Sequence, residues 1–363
     1  MKNTFGNNLA LTLFGESHGE YIGAVLDGIT PGIKIDHKKI KEALLRRRPN
    51  GAASTARVEA DEYKIISGEY NGYTTGTPLT VIIPNQNKRS GDYSETENKP
   101  RPSHADFAAE MKYHGYQDKR GGGHFSGRIT AALVAVSGII MPMLNSKGVF
   151  IGTHISKLGK VSDRGFCNIK EDLEALSEGS FPTLSSEAKE KMTEAAEAIR
   201  AAGDSIGGIL ETAVIGIPEG VGEPWFDTVE GVISHAVFSV PAIKGIEFGL
   251  GFGFGEARGS EANDAFYTDG EKVLTRTNNN GGVNGGITNG MPIVFRTAVK
   301  PTPSIFIEQD TVDLSTMANT KIKIEGRHDA TILPRVAPVI DAVTALVIAD
   351  MLIGRFGTDY FNS

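Results

Sequence analysis

The chain has 363 residues, a net charge of −7, 40% hydrophobic and 22% charged residues, and a single cysteine. That composition supports a sizeable buried core and excludes a disordered tail, a collagen and a disulfide-stapled scaffold. The acidic balance argues against a general nucleic-acid binder, yet a pocket inside an acidic protein can be locally basic and take an anionic ligand.

The first twenty residues contain no apolar stretch with a cleavage site, so no secretory leader is expected. Residues 9–14 (LALTLF) predict a short buried strand, and Asp36 is placed to cap a helix over HKKIKEALLRRR that stops before Pro49. A second strand is predicted at 79–84, followed by a long polar segment at 85–103 of a kind that is more often functional than idle. Residues 129–145 and 336–353 are apolar nearly all round and predict buried helices. Asp341 and Asp350 in the second of these weigh against a membrane span. Residues 184–202 predict a surface helix closed by Gly203, and 208–217 and 290–299 predict two more strands. Helices and strands do not alternate regularly, which argues against a doubly wound sheet. Length alone suggests roughly two domains at about 150 residues each, but no linker or repeat divides the chain. One cysteine, Cys167, and the absence of a leader predict a soluble, cytoplasmic protein.

Several familiar motifs are missing: the phosphate-binding P-loop, the His-Glu-x-x-His zinc motif and Cys-x-x-Cys, so no metal is expected. The run 249–259 has Gly251-x-Gly253 but Glu256 where a dinucleotide fingerprint needs its third glycine. Five clusters carry more chemistry. His18, in Gly15-Glu16-Ser17-His18-Gly19 after a strand, is either an acid/base residue or an exposed turn histidine. Arg46, Arg47, Arg48 and Arg57 either complement a helix C-terminus or form an anion site. The stretch 99–128 has a local net charge of +3, from six Lys/Arg and three Asp/Glu, and holds His104, His114 and His124. Its Gly121-Gly122-Gly123 run leads through Ser126 and Arg128 into an apolar helix and suggests an anion cradle. Lys300-Pro301-Thr302-Pro303-Ser304 is a stiff polar loop, and Gly326-Arg327-His328-Asp329, with Arg335 beyond, offers acid/base groups or a local ion pair. Together they describe a cationic pocket for a small, multiply charged anion, with no specific reaction implied.

In this order and spacing the clusters closely resemble chorismate synthase. The resemblance runs from GESHG (15–19) through SGEYNGYTTGTP (67–78), RPSHADF (101–107), DKRGGGHFSGR (118–128), GDSIGG (203–208), NNNGGVNGGITNG (278–290), KPTPSI (300–305) and GRHD (326–329) to ALVIAD (345–350). It implies one catalytic domain over 1–363 with an α+β fold, a helical core sandwiched between antiparallel β-sheets. It implies a carbon–oxygen lyase that turns 5-enolpyruvylshikimate 3-phosphate into chorismate and phosphate by 1,4-anti elimination, using reduced FMN without net redox change. In that scheme reduced flavin lends an electron as phosphate departs. His18 would serve the departing phosphate, His104 would protonate reduced flavin, and Asp329 would assist proton removal, with Ser17 and Ser126 in support. Arg47, Arg128, Arg327 and Arg335 would hold the substrate. FMN contacts would come from His124, Phe125, Ser126, Ala242, Gly285, Lys300, Pro301, Thr302, Pro303, Ser304 and Arg327. His124 and Phe125 stand where many relatives carry Arg and Ser, Pro241 stands where many carry Asn, and Ala52 and Ala53 follow the arginine run. The resemblance further implies a homotetramer, with NADPH acting only indirectly, through an external flavin reductase. The rival readings are a phosphate lyase without flavin and a non-catalytic flavin- or RNA-binding protein; the acidic charge weighs against RNA.

Overall fold

The computed structural model describes residues 2–48, 60–86, 98–176, 181–324 and 328–362. Two five-stranded antiparallel sheets enclose a layer of helices. The first sheet runs, edge to edge, Thr4–Phe5, Ala10–Gly15, Tyr21–Asp27, Leu79–Pro84 and Lys64–Ser67. The second runs Ile243–Phe248, Ile293–Val299, Gly208–Ile215, Phe150–Leu158 and Val161–Ser162. The helices are α1 (His37–Arg47), α2 (Asp106–Tyr113), α3 (Thr130–Asn145), α4 (Ile169–Leu176), α5 (Ser186–Ala201), α6 (Val229–Phe238), the single turn α7 (Gly259–Ala262) and α8 (Leu333–Phe356). The α+β sandwich expected from the sequence is therefore observed.

Alternation explains the sheets. Leu79, Val81 and Ile83 all point inward from one strand, as do Ile22, Ala24 and Leu26 from its antiparallel neighbour, where Ala24 pairs with Val81. Helix α3 packs on the first sheet and α8 on the second, and the two pack on each other and on α1. A helix covered on opposite sides needs apolar residues all round, which is why α3 and α8 read that way in the sequence. The helical segment Gly127–Asn145, which ends in α3, and α8 are long and apolar enough to cross a membrane, but 78% and 94% of their most apolar windows lie inside the protein. Gly138 permits the α1–α3 crossing: a Cβ there would lie 2.6 Å from the Ile40 Cα. Helix starts follow the expected chemistry. The Asp36 carboxylate accepts the Lys38 and Lys39 N–H groups, and Ser185 accepts from Ala188.

The acids of α8 each have a defined partner. Asp341 meets the Arg46 guanidinium at 2.9 Å, joining α8 to α1. Burial pushes its carboxyl up, against the pull of Arg46. Asp350 accepts the N–H groups of Asn7 (3.0 Å), Asn8 (2.6 Å) and Leu9 (2.8 Å), so the first turn of the chain is pinned to its last long helix. In the second sheet, the fully buried His154 sits with Nε2 2.9 Å from Glu211 and Nδ1 3.6 Å from Asp163.

Candidate active site

One large cavity, of about 1740 Å³, opens where the first sheet, the C-terminus of α1, the N-terminal ends of α3 and α8 and the 300–304 loop converge. It exceeds the roughly 300–1,000 Å³ of a typical single-ligand site. Among the described residues its wall carries eleven Lys and Arg side chains against two carboxylates, Asp61 and Asp329, in a chain whose net charge is −7. Such a concavity focuses a positive potential on whatever enters it.

The strand Ala10–Gly15 ends in a tight loop that buries Ser17 and His18. Ser17 Oγ donates to the Arg120 carbonyl at 3.2 Å and lies 3.1 Å from His18 Nδ1. One hydroxyl proton cannot serve both partners, so His18 Nδ1–H donates to Ser17. Neighbouring residues need not face each other, but here the Ser-His pair is hydrogen-bonded. The three glycines take left-handed backbone angles, φ +62°, +103° and +52°. A Cβ on Gly121 would sit 2.2 Å from His18 Cε1, and one on Gly122 would sit 3.4 Å from His104 Cε1. The glycine run is thus a thin backbone wall between the two histidines, and glycine is required because rings lie against it. The Gly123 carbonyl accepts the Ser17 N–H at 3.1 Å, tying this wall to the His18 loop. His124 adds a second tie: its Nδ1 donates to the Gly15 carbonyl at 2.8 Å. Ser126 caps the helical turn that follows, its Oγ accepting from the Arg128 N–H.

The arginines are anchored from behind. Arg47 is buried at the end of α1, donating to Thr130 Oγ1 (3.0 Å) and the Gly127 carbonyl (3.0 Å). Arg128 donates through Nε to Asn85 Oδ1 at 3.0 Å and through Nη1 to Asp61, whose other carboxylate oxygen lies 3.7 Å from Arg47. The Asn85 amide in turn donates to the Glu16 and Gly19 carbonyls, so one side chain links Arg128 to the His18 loop. Arg335, in the first turn of α8, meets Asp329 at 2.5 Å. Lys300 donates to the Ser103 carbonyl; burial and the Lys244 charge push its ammonium down.

Of the residues singled out in the sequence, His18, His104, His124, Phe125, Ser126, Arg47, Arg128, Arg335, Asp329, Ala242, Lys300, Thr302, Pro303 and Ser304 all line the cavity. Ser17 stands behind His18, and Pro301 and Gly285 are not on the wall; Gly285 lies in the turn between Val283–Asn284 and Ile287–Thr288. Arg327, Gly326, Arg57, Ala52, Ala53 and residues 87–97 of the long polar segment lie outside the described residues. The sequence reading missed Asp61, Asn85, Arg101 and Asp106. Arg101 and Asp106 were within reach, because they flank His104 in the RPSHADF motif. Asp61 and Asn85 sit in polar stretches, where nothing local marks their partners.

A two-sheet sandwich around a helical layer, with a cation-rich cavity lined by His18, His104 and further histidines, has the make-up of a small-molecule enzyme. The family profile described as chorismate synthase matches residues 9–353. The chorismate synthase of Pyrococcus abyssi is 47% identical over 350 residues, covering 96% of this chain and 97% of its own. That of Thermococcus gammatolerans is 45% identical over the same length. A crystal structure of a chorismate synthase superposes with a TM-score of 0.78 at 28% identity, over 99% of this chain and 95% of that one. The chain belongs to the chorismate synthase family, carbon–oxygen lyases of the shikimate pathway to aromatic compounds.

Proposed function

We propose that this chain catalyses the 1,4-anti elimination of phosphate from 5-enolpyruvylshikimate 3-phosphate to give chorismate, with reduced FMN as cofactor. The observation that carries this reading is a cavity of about 1740 Å³ with eleven cations, room and charge for two stacked anionic ligands. The substrate brings a phosphate and two carboxylates, and the flavin brings another phosphate.

The residues present fit the flavin. Ala242 has φ +75°, and its carbonyl accepts the Lys300 N–H at 2.9 Å, which leaves a wall without a bulky side chain. Lys300, Thr302 and Ser304 would supply polar and cationic contacts to such a group, and Ile332, Val336 and Val339, on the same cavity wall, would supply apolar surface. When bound, reduced FMN supplies the transient electron density that an elimination from a poorly acidic C–H bond needs.

The chain's own residues do the rest. Arg47, Arg128 and Arg335 hold the substrate's anionic groups. They are pre-oriented by the contacts behind them, so little ordering remains on binding. His18 holds a proton through Nε2 for the phosphate as its C–O bond breaks. His104 holds the proton that serves the flavin side. Asp329, poised beside Arg335, takes part in removing the proton from the ring. One C–H and one C–O bond are lost, one C=C bond is gained, and phosphate and a proton leave. We further propose that residues 1–363 act as one catalytic domain in a cytoplasmic homotetramer, with reduced flavin delivered by an external, NADPH-driven reductase. The deciding experiment is anaerobic. Substrate and chemically reduced FMN should give phosphate and chorismate absorbance in equal amounts; flavin binding without turnover would overturn the reaction, and no flavin binding would overturn the cofactor as well.

A further inference from the structure

His104 has a close carboxylate neighbour, Asp106. Its Nδ1 lies 2.5 Å from Oδ1 of Asp106, the first residue of α2. At that distance a proton must lie between the two atoms. Arg101 surrounds the same carboxylate: its backbone N–H (3.0 Å) and Nε (2.7 Å) donate to Oδ2, and Nη2 (2.8 Å) donates to Oδ1. Burial opposes ionisation of Asp106, but the hydrogen bonds from Arg101 and His104 outweigh it and hold the carboxyl well below the usual carboxylate range. An ionised carboxylate only accepts, so the shared proton sits on His104 Nδ1. Arg101 Nη2 also lies 3.1 Å from Nδ1, but a protonated Nδ1 offers it no lone pair. The other ring nitrogen, Nε2, is then the one beside the glycine wall, 3.5 Å from where a Gly122 Cβ would stand.

We propose that Asp106 is a positioning residue for the elimination: it fixes His104 as the Nδ1–H tautomer, so that Nε2 is the nitrogen that exchanges a proton inside the cavity, while Arg101 keeps Asp106 ionised. The proposal rests on the reading of His104 as a proton-handling residue, and its test separates the two. Ala105 gives α2 no side-chain cap, and Asp106 turns away from the helix towards Arg101 and His104, so its place is not explained by capping alone.

Neutron diffraction from crystals of the full chain should show deuterium on His104 Nδ1 and none on Asp106. Deuterium on Nε2 with a bare Nδ1 would overturn the proposal without any variant having to fold. In solution, Asp106→Asn should lose about 100- to 10,000-fold in turnover, the range for a misplaced acid–base group. Substrate KM should stay within about threefold; the melting temperature should fall, because Arg101 loses its ionised partner, so turnover is compared well below the transition, where both proteins are folded. Asp106→Glu should recover part of the turnover. An Asn variant that turns over like the unsubstituted enzyme would overturn the proposal. If the unsubstituted enzyme itself does not turn over, the role of His104 in catalysis falls, while the neutron map still decides the tautomer.

Discussion

Gly121 decides whether His18 can stand where it does. A Cβ at that position would intrude on the imidazole at 2.2 Å, and φ +62° costs an L residue about 1 kcal/mol or more. Gly121→Ala should therefore lower turnover at least tenfold while the far-ultraviolet circular dichroism stays unchanged. His124 makes a different prediction. Its bond to the Gly15 carbonyl ties the glycine wall to the His18 loop, so His124→Ala should weaken flavin affinity, read by fluorescence quenching, and leave substrate KM near the unsubstituted value. At this scale the sequence is legible where a short motif holds both partners, as in Ser17-His18 or Arg101 to Asp106. It is silent where the partner arrives from far along the chain. Asp61 reaches Arg128 across 67 positions and Asn85 reaches it across 43, and neither has a local pattern to announce it.

Elements were legible to the degree that their burial is periodic. The strands at 79–84 and 208–215 and the helices α1, α3, α5 and α8 stand within a few residues of where the sequence places them. The hairpin Gln309–Asp313 with Ala318–Ile322 was missed because its sequence is mostly polar: burial alternates along Gln309–Asp313, but the half-buried positions are Gln309, Thr311 and Asp313 and the apolar Val312 is exposed, so no apolar–polar alternation marks the strand. Ion pairs between elements make two predictions. Arg46→Met would strand Asp341 inside the helical layer and should cost about 3 kcal/mol of unfolding free energy, with much of it regained in Arg46→Met/Asp341→Leu. Chemical denaturation of both variants measures this. His154 sets a pH dependence. Burial alone would push its imidazole down, but Asp163 and Glu211 outweigh it and raise it above 6.5. A raised imidazolium stabilises the fold fully below pH 6.5, and the gain is lost as pH climbs through the folded value. Asp163 is held down to about 2, against the push of burial, chiefly by its hydrogen bond with His154, so its contribution is present above pH 3.8 and lost towards pH 2. Both contributions are at full strength only between pH 3.8 and 6.5. His154→Gln should thus lower the melting temperature at pH 5.5 and change it much less at pH 9.

The whole molecule separates its charge. The chain is acidic, yet among the described residues its cavity wall has a surplus of nine cations, eleven against two carboxylates, so the negative charge lies mainly elsewhere on the molecule. Ionic strength screens such a field over about 10 Å at 0.1 M salt. Substrate KM should accordingly rise about tenfold between 20 and 500 mM KCl, with a much smaller change in kcat. A KM flat with salt would show that binding does not draw on the cavity's field. The net charge in the sequence hid this, because composition averages what folding sorts; only the arginine and lysine clusters hinted at it.

The clasp between Asp350 and the N–H groups of Asn7, Asn8 and Leu9 has a consequence for how the protein is made. Its two sides are some 340 residues apart in sequence. At about 5–20 residues per second, a ribosome needs roughly 17–70 s to make the second side after the first. Until then the opening turn of the first sheet has no carboxylate to close on, and α8 is not there to cover the helical layer. The nascent chain cannot complete itself piece by piece from its N-terminus, and its final closure must come after nearly all of it has been translated.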